Sequence, residues 1–332
     1  MKAIRTHEVG GPETLKLDEI DVPTPGKDEV LVAVKACAIN YPDTLMIRDL
    51  YQFKPERPYS PGGELAGIVE AVGEGVENYK VGDRVMAGMG NGGLREKAIV
   101  PANRMFPVPD GVPFEKAASL LMTYGTTIHG LKDRGHIKEG DVVLVLGAAG
   151  GVGLSAVELA KAYGARVVAA VSSEAKGEVA RKAGADEIVI YPRDEMDKAA
   201  SKELAGAFKG ACGPNGADIV YDIVGGQYSE PALRSIAWEG RFLVVGFPAG
   251  IAKMPLNLTL LKSCDICGVF WGAFTAREPA KFVAQVTELF ELMKDGKIDP
   301  LVSETFPLER AGEAIAKLEN REAVGKLVVT MD

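Results

Sequence analysis

The chain has 332 residues, of which 47% are hydrophobic and 25% are charged, so it can bury a large core, and we expect two domains. Its formal net charge of −8 argues against a nucleic-acid-binding protein, because phosphate contacts require a concentrated positive surface. The N-terminus lacks the apolar core of a signal peptide and no run reaches transmembrane length, so we expect a cytoplasmic protein without a membrane partner.

The cysteines point to the same compartment. Cys37, Cys212, Cys264 and Cys267 show neither disulfide-rich nor zinc-ribbon spacing, as expected for a reduced cytosolic protein. Cys264 and Cys267 have the spacing of a redox pair, but they lie in the segment LLKSCDICGVF, which is typical of a strand. We therefore favour a structural role for them over redox or metal chemistry.

Short β segments separated by Gly, Pro and Asp dominate the chain up to about residue 123. Examples are EVLVAVKACAI (29–39), AGIVEAVG (66–73) and REKAIV (95–100). This pattern predicts a small β-barrel-like domain.

From residue 124 onward, strands alternate with helices. The runs DVVLVLG, RVVAAV, EIVIY, ADIVYDIV and RFLVVG are apolar enough to be buried on both faces, which predicts an α/β domain with a doubly wound parallel sheet. The run LLKSCDICGVFWGAF is expected at the end of this sheet. The amphipathic segment PAKFVAQVTELFELMKDGKI and the strand GKLVVTM follow, and we expect this tail to pack on the first domain.

A glycine-rich turn joins the strand DVVLVLG to a helix. Against the dinucleotide-binding fingerprint, Ala148 takes the first glycine position, Gly150 the second and Gly153 the third. Gly150 would let the backbone approach a pyrophosphate, Gly153 would let the helix pack on the strand, and the helix N-terminus offers N–H groups to phosphates. The strand–turn–helix context favours dinucleotide binding over a plain turn, with predicted contacts at Ala149, Gly150, Gly151, Val152 and Gly153.

The next strand, RVVAAV, ends where an Asp or Glu ordinarily meets the adenosine ribose. Here Ser172, Ser173 and Lys176 follow it. A carboxylate would repel the 2′-phosphate of NADP, whereas hydroxyls and a cation would bind it. Two charge-assisted hydrogen bonds of about 1.5–3 kcal/mol each would favour NADPH by roughly a hundredfold or more. The pattern thus predicts NADPH, the alternative being a solvated loop.

The whole chain resembles the medium-chain dehydrogenase/reductase superfamily. The stretches VGEGVENYKVGDRV, PGGELAGIVEAVG, GAAGGVG and NREAVGKLVV carry this resemblance over nearly the full length. It implies a GroES-like β-barrel catalytic domain, for which we expect residues 1–123 and 270–332, and a Rossmann NADPH-binding domain over residues 124–269.

Zinc alcohol dehydrogenases of this superfamily carry Cys-His-x-Asp and Gly-His-Glu elements. The matching segments here are NYPD (40–43) and GGE (62–64), and the third zinc ligand falls near Met122. Asn40, Gly63 and Met122 cannot build a tetrahedral site of thiolate and imidazole ligands. The resemblance therefore implies a member without a metal.

Within the superfamily the chain looks similar to the zinc-independent quinone oxidoreductase branch, also called ζ-crystallin-like. Tyr191 could equally be a core aromatic and Arg321 a solvated charge at a helix end, but a 2′-phosphate needs cations in so acidic a protein, which favours Lys176 and Arg321 as its partners. The NADPH contacts that this resemblance implies are Asn40, Thr126, the turn 149–153, Ser173, Lys176, Tyr191, Val224, Phe247 and Arg321.

Chemistry without a metal suits substrates that are already electrophilic, such as quinones and α,β-unsaturated carbonyls. The protein then needs to align the nicotinamide, donate a hydrogen bond to the developing oxyanion and admit a proton. Asn40 can donate through its amide, and Tyr41 and Tyr51 are phenols that can act as donor or acid. Tyr51 matches a tyrosine of related enoyl-thioester reductases, although either tyrosine can simply wall a pocket.

Three functions remain open at this point. The first is an NADPH-dependent quinone reductase, and the second is a reductase of the C=C bond of 2-enoyl-CoA, acrylate or enone substrates, with Arg48, Lys54 and Arg57 as a basic entrance. The third is a non-catalytic cofactor-binding protein of the same fold. The resemblance also implies a homodimer, or a dimer of dimers, in which the strand at the end of the Rossmann sheet pairs with its copy.

Overall fold

The computed structural model describes residues 1–331, and these form two compact units. The first unit contains Met1–Met122 and the segment from Pro300 onward, and the second contains Thr123–Asp299. No helix within residues 1–331 combines the length and the apolar character needed to cross a membrane.

The strands are numbered along the chain. They are β1 (Lys2–Arg5), β2 (Lys16–Glu19), β3 (Glu29–Ala38), β4 (Glu64–Val72), β5 (Arg84–Gly88), β6 (Lys97–Pro101), β7 (Met105–Pro107), β8 (Val142–Leu146), β9 (Arg166–Val171), β10 (Glu187–Ile190), β11 (Ala217–Asp222), β12 (Ile236–Val244), β13 (Asp265–Gly268), β14 (Val302–Pro307) and β15 (Lys326–Thr330).

The α-helices are numbered in the same way, and a π-helical segment, His129–Arg134, continues the third of them. They are α1 (Tyr41–Met46), α2 (Phe114–Ala117), α3 (Leu121–Ile128), α4 (Gly151–Ala162), α5 (Glu174–Lys182), α6 (Lys198–Cys212), α7 (Ser229–Arg234), α8 (Asn257–Lys262), α9 (Trp271–Arg277), α10 (Pro279–Lys294) and α11 (Ala311–Glu319).

The first unit is built around β3, which pairs antiparallel with β4, β6 and β15. Its sheet has the order β14-β15-β3-β4-β5-β7, with β6 on β3, and β1 and β2 form a separate hairpin. Because β3 is central, its run of Val, Leu, Ala and Cys is almost continuously buried rather than alternating. The C-terminal strand β15 brings the end of the chain beside the segment that precedes α1.

The second unit contains one parallel sheet of six strands in the order β10-β9-β8-β11-β12-β13. This is the doubly wound order, in which the chain starts in the middle and builds outward on both sides. Strands β8, β9 and β11 are buried almost throughout, as their unbroken apolar sequences predict. The predicted α/β class, with a parallel Rossmann-like sheet, is therefore confirmed.

Two features near residue 270 differ from the sequence-based expectation. The apolar run at residues 260–274 is not one long strand, because only Asp265–Gly268 pairs with β12, while α8 precedes it and α9 follows it. The segment from 270 to 299 also lies in the second unit, since α10 bonds within it: Glu288 accepts from Tyr163 at 2.9 Å and Gln285 donates to Asp133 at 2.8 Å. Only the chain from Pro300 returns to the first unit.

Candidate active site

The predicted cofactor residues of the second unit lie just beyond the carboxyl ends of its parallel strands. The turn 147–153 follows β8, the serines follow β9, and the remaining positions follow β10, β11 and β12. These five strands are neighbours in the sheet, so the residues share one edge. Ligands of open α/β sheets bind at this edge. The residues concerned are Ala149, Gly150, Gly151, Val152, Gly153, Ser172, Ser173, Tyr191, Val224 and Phe247.

The glycine turn is open at Gly150 and tightly packed at Gly153. Gly150 is the N-cap of α4, and a Cβ added there would find only Gly147 O, at 3.7 Å, so the surface beside it is open. A Cβ on Gly153 would lie 2.2 Å from Gly147 O and 2.7 Å from Ala148 Cα, which shows how closely α4 packs on the turn. The first N–H groups of α4 have no intrahelical partners and can bind phosphate.

The end of β9 carries the groups predicted to select the cofactor. Ser173 is the N-cap of α5, and its Oγ accepts from the Lys176 backbone N–H at 3.3 Å. Burial lowers the pKa of Lys176, and the positive charge of Arg193 lowers it further. Arg193 therefore lies within electrostatic range of Lys176, and two cations lie near the carboxyl ends of β9 and β10.

The loop after β11 is held by a buried carboxylate. Asp222, 2% exposed, accepts from the N–H groups of Val224 and Gly225 at 2.9 Å each and from the Ser229 hydroxyl at 2.5 Å. Burial is the main cause that raises the pKa of Asp222. The carboxylate thus fixes the backbone at Val224, one of the predicted contacts.

The remaining predicted contacts of the second unit differ in exposure. Tyr191 is 9% exposed and its ring lies 4.7 Å from that of Tyr228, so it has the packing of a core aromatic at the edge of the sheet. Phe247 is 49% exposed in the loop after β12. Thr126 lies on α3, next to Thr127, whose hydroxyl contacts Ser155 Oγ at 2.7 Å and Tyr221 OH at 3.0 Å.

The predicted catalytic Asn40 lies in a buried polar cluster of the first unit. Its Oδ1 accepts from Lys326 Nζ at 2.6 Å, and its Nδ2 donates to Glu64 Oε2 at 3.1 Å and to Ala38 O at 3.3 Å. Asp43 accepts from the backbone N–H of Asn40 at 2.8 Å. We call Asn40, Asp43, Glu64 and Lys326 the Asn40 cluster.

The Asn40 cluster holds three ionisable side chains away from water. Lys326, Glu64 and Asp43 are 4%, 1% and 1% exposed. Burial lowers the pKa of Lys326, whereas it raises the pKa of Glu64 and raises that of Asp43 to about 6. The ammonium lies 3.8 Å from Glu64, so it compensates a carboxylate that the interior would otherwise destabilise.

Glu64 is hydrogen-bonded to two of the residues, Asn40 and Met122, that correspond to zinc-ligand positions in zinc dehydrogenases. One of its oxygens accepts from Asn40 and the other from the Met122 N–H at 2.9 Å, while Gly63 precedes it in the chain. Among residues 1–331, no group of three His, Cys, Asp or Glu side chains is placed to hold a metal ion. The polar side chains of the Asn40 cluster are one amide, two carboxylates and one ammonium.

The two predicted tyrosines flank α1. Tyr41 is its first residue, and Tyr51 lies in the loop after it; both side chains are half-buried. Burial is the main cause that raises the pKa of each, and the charge of Asp43 raises that of Tyr51 further. The positive charge of Arg321 lowers the pKa of Tyr41 and so offsets part of the effect of burial. The backbone of Arg321 has a φ of 59°. Both phenols are therefore protonated at neutral pH and can donate.

Comparison with known proteins places this chain in a family. The alcohol dehydrogenase GroES-like domain matches residues 26–110, and the zinc-binding dehydrogenase domain matches residues 151–290. The quinone oxidoreductase-like protein 2 homolog of Nematostella vectensis is 35% identical over 99% of this chain and 88% of its own length. Human quinone oxidoreductase is 31% identical over 100% of this chain and 98% of its own length. The chain belongs to the quinone oxidoreductase branch of the medium-chain dehydrogenase/reductase family.

Solved structures extend this relationship to the whole fold. A mycobacterial protein solved in complex with NADPH superposes with a TM-score of 0.91 at 34% identity, covering 100% of both chains. Escherichia coli quinone oxidoreductase, also solved with NADPH, superposes with a TM-score of 0.88 at 30% identity, again covering 100% of both chains. The predicted family, fold and oxidoreductase class are confirmed.

Three residues that interact with the predicted site residues were not predicted from the sequence. Arg193 follows β10 in the segment YPRD, and only the pairing of β9 with β10 reveals its nearness to the predicted cation Lys176. Asp222 ends β11 and has the appearance of an ordinary strand end. Lys326, in GKLVV, carries no local sign of burial in the sequence, yet it is among the most buried charges of the first unit.

The tight glycine supplies a first prediction. Gly153→Ala should destabilise the protein by about 1–3 kcal/mol, because its Cβ would overlap Gly147 O and overpacked sites cost about that much. Gly206→Ala, within α6, is the control, because nothing lies within 4 Å of the added Cβ. This substitution should raise the free energy of unfolding by about 0.5–1 kcal/mol. Urea unfolding of both variants measures the difference, and equal stability of the two would contradict the close packing.

Proposed function

We propose that the protein is a zinc-independent, NADPH-dependent reductase that transfers a hydride to quinones or to other activated conjugated carbonyls. The observation that carries the proposal is the Asn40 cluster, in which an amide bonded to Lys326 and Glu64 takes the place of metal ligands. An amide that is engaged by Lys326 and Glu64 does not fit a tetrahedral zinc site of thiolate and imidazole ligands, and we infer that the site suits substrates that accept hydride through a conjugated system. The names of the relatives support quinones as that class.

NADPH is the proposed cofactor, and it would supply the hydride. The open surface at Gly150 and the N-terminus of α4 would bind its pyrophosphate, and the hydroxyls of Ser172 and Ser173 would meet the ribose and its 2′-phosphate. Lys176 and Arg193 would supply positive charge there, and Arg321 stays a proposed partner of the same phosphate. Two solved neighbours that contain NADPH support this choice.

The residues of the first unit would act on the substrate. Tyr41 and Tyr51 keep their protons at neutral pH, because burial raises the pKa of each, so each can donate a hydrogen bond to a carbonyl oxygen on which negative charge develops. Each phenol can also pass its proton on as a general acid. Asn40 contributes an amide whose orientation is fixed by charged neighbours rather than by solvent.

A reductase of enoyl-CoA, acrylate or enone C=C bonds is the second candidate, and Tyr51 favours it as a possible proton donor. The basic entrance that a CoA ester would need is largely neutralised, however. Arg48 pairs with Glu319 at 2.7 Å, and Arg57 pairs with Asp49 at 2.8 Å. Two of the three cations of the proposed entrance, which also includes Lys54, are thus compensated by carboxylates, and this favours the quinone interpretation.

A screen of NADPH oxidation tests the proposal. We expect 1,4-benzoquinone to be reduced faster than crotonyl-CoA, acryloyl-CoA and simple enones, with no loss of rate after treatment with a chelator. Fastest turnover of a thioester or enone would instead identify a C=C reductase. Cofactor binding without turnover of any substrate would identify a non-catalytic protein of this fold.

We propose that the protein is a homodimer, or a dimer of dimers, joined through the edge strand β13. This strand has no neighbour on its outer side among the described residues, and α8, which precedes it in the chain, exposes Leu260 (79%) and Leu261 (62%). An open strand edge and exposed leucines in the preceding helix favour pairing with a second copy.

Light scattering tests the dimer. Wild type should have at least twice the monomer mass, and Leu260→Lys combined with Leu261→Lys should reduce it to the monomer, because two charges would be buried. Leu50→Lys is the matched control, since Leu50 is 67% exposed in the first unit and the substitution should leave the mass unchanged. A wild-type monomer mass at all concentrations would refute the proposal.

We also propose a cytoplasmic location. Cys37, Cys212, Cys264 and Cys267 are all buried free thiols, which is the usual state of cysteine in a reducing compartment.

A further inference from the structure

The side-chain amide of Asn40 is held in one of its two orientations by neighbours whose chemistry allows no other. Lys326 is paired with Glu64 at 3.8 Å as an ammonium, which can only donate, so the atom 2.6 Å from its Nζ is the amide oxygen. Glu64 Oε2 and Ala38 O accept, so the atom 3.1 Å and 3.3 Å from them must be the amide nitrogen. A rotation of the amide by 180° would place the nitrogen against an ammonium and the oxygen against a carboxylate.

The amide nitrogen of Asn40 has no hydrogen left to give. A primary amide nitrogen carries two hydrogens, and these are engaged by Glu64 and Ala38. The oxygen has two lone pairs, of which Lys326 takes one. Asn40 is 6% exposed, so a small part of its surface remains open for contact with a ligand.

The position of the Lys326 ammonium is also fixed by its neighbours. Its Nζ donates to Ile39 O at 3.0 Å as well as to Asn40, and it lies 3.8 Å from Glu64. The strand β15 supplies this ammonium from a position 286 residues along the chain from Asn40, by pairing with β3. An ammonium buried in this way costs free energy to desolvate, which Glu64 offsets in part, and its hydrogen bonds to Asn40 Oδ1 and Ile39 O fix its position.

We propose that Lys326 and Glu64 are positioning residues that turn the Asn40 amide so that it offers an acceptor, and not a donor, to a ligand. The inference rests on the proposed reductase function and specifies how Asn40 serves it: Asn40 receives a hydrogen bond from an N–H or O–H group. The nicotinamide carboxamide and the hydroxyl of a hydroquinone both supply such a group. Donation to a developing oxyanion then falls to the tyrosines.

A double variant separates orientation from structural support. Lys326→Met alone leaves the Glu64 carboxylate buried without its cation, so loss of stability is expected. In Lys326→Met with Glu64→Gln the cluster loses the charges of Lys326 and Glu64 and keeps that of Asp43, which accepts from the backbone N–H groups of Asn40 and Gly62. The new glutamine amide can donate to Asn40 Oδ1 once the Asn40 amide has rotated by 180°. We expect the double variant to recover most of the melting temperature but to keep kcat/KM about 10- to 100-fold below wild type, as for other misplaced contact groups.

Recovery of kcat/KM together with stability would overturn the proposal, because Lys326 would then only neutralise Glu64. Lys97→Met is the matched control: Lys97 forms an ion pair with Glu70 at 2.5 Å on the surface of the same unit, and the variant should keep wild-type kcat/KM.

Two probe pairs identify the donating ligand. NADPH is compared with its 3-acetylpyridine analogue, which lacks the carboxamide N–H, and a hydroquinone inhibitor is compared with its dimethyl ether, which lacks the O–H. We expect wild type to prefer the donor-bearing member of one pair about tenfold, in line with a hydrogen bond of roughly 1.5 kcal/mol, and the double variant to lose that preference. Unchanged preferences in both pairs would refute an acceptor role.

A measurement on the wild type is independent of catalysis and of the variants' folding. In protein labelled with 15N-asparagine, both Nδ2 hydrogens of Asn40 should exchange slowly with solvent, because both are hydrogen-bonded and buried. The signal is assigned by its loss in Asn40→Asp. Fast exchange of either hydrogen would refute the fixed orientation, whereas slow exchange in a protein that reduces no quinone would refute only the proposed function.

Discussion

Ser173→Asp combined with Lys176→Ala should lower kcat/KM with NADPH by about a hundredfold or more and leave kcat/KM with NADH unchanged or improved. The aspartate would repel the 2′-phosphate. The alanine would remove a cation whose charge-assisted hydrogen bond to the phosphate contributes about 1.5–3 kcal/mol. Aspartate is also a good N-cap, so the bond that Ser173 now accepts from the Lys176 N–H would be kept. The effect should therefore come from charge and not from the loss of α5.

Ser173→Asn is the matched control for this pair, because asparagine keeps the N-cap without adding charge. It should retain most of the preference for NADPH. Arg193→Ala should weaken the binding of NADPH but not that of NADH. The positive charge of Arg193 is close enough to Lys176 to lower the pKa of that lysine. Steady-state kinetics with both cofactors measure these preferences, and a wild type that already prefers NADH would show that the serines at the end of β9 have been misinterpreted.

The parallel sheet and the residues at the carboxyl edge of its strands could be predicted because their signals are local. Unbroken apolar runs at β8, β9 and β11 indicate strands buried on both faces. Gly150 and Gly153 indicate the geometry of the turn between β8 and α4. Once the order of such strands is known, their carboxyl ends fall on one edge. The sequence therefore predicts which residues lie at this edge, and their contacts with the cofactor stay a prediction.

The Asn40 cluster could not be predicted in the same way, because it depends on pairing between distant parts of the chain. Lys326 reaches Asn40 only through the pairing of β15 with β3, and a lysine in a strand ordinarily points to solvent. The run at residues 260–274 failed for a different reason: hydrophobicity without clear periodicity does not distinguish a strand from short helices. Tertiary context decides both cases.

Tyr51→Phe should report which reaction the enzyme catalyses. Hydride transfer to an enoyl thioester or enone leaves a carbanion equivalent whose α-carbon must receive a proton, and general acid catalysis contributes about 10²–10⁴-fold. Loss of the Tyr51 hydroxyl should then lower kcat by about that factor with little change in NADPH affinity. A quinone yields a hydroquinone anion that water can protonate, so the same variant should cost less than about tenfold.

The quinone result is the one we expect. Burial and the charge of Asp43 raise the pKa of Tyr51, so its phenol stays protonated throughout the neutral range and its contribution to kcat should not decline as the pH rises from about 6 to about 8. Tyr41→Phe removes the other candidate hydroxyl, at the start of α1, and the comparison shows which of the two phenols contributes to kcat. Asn40→Ala should lower kcat with either substrate class, since the oriented amide would be lost. Unchanged turnover in both Tyr51→Phe and Asn40→Ala, on the best substrate found, would mean that the substrate is bound elsewhere.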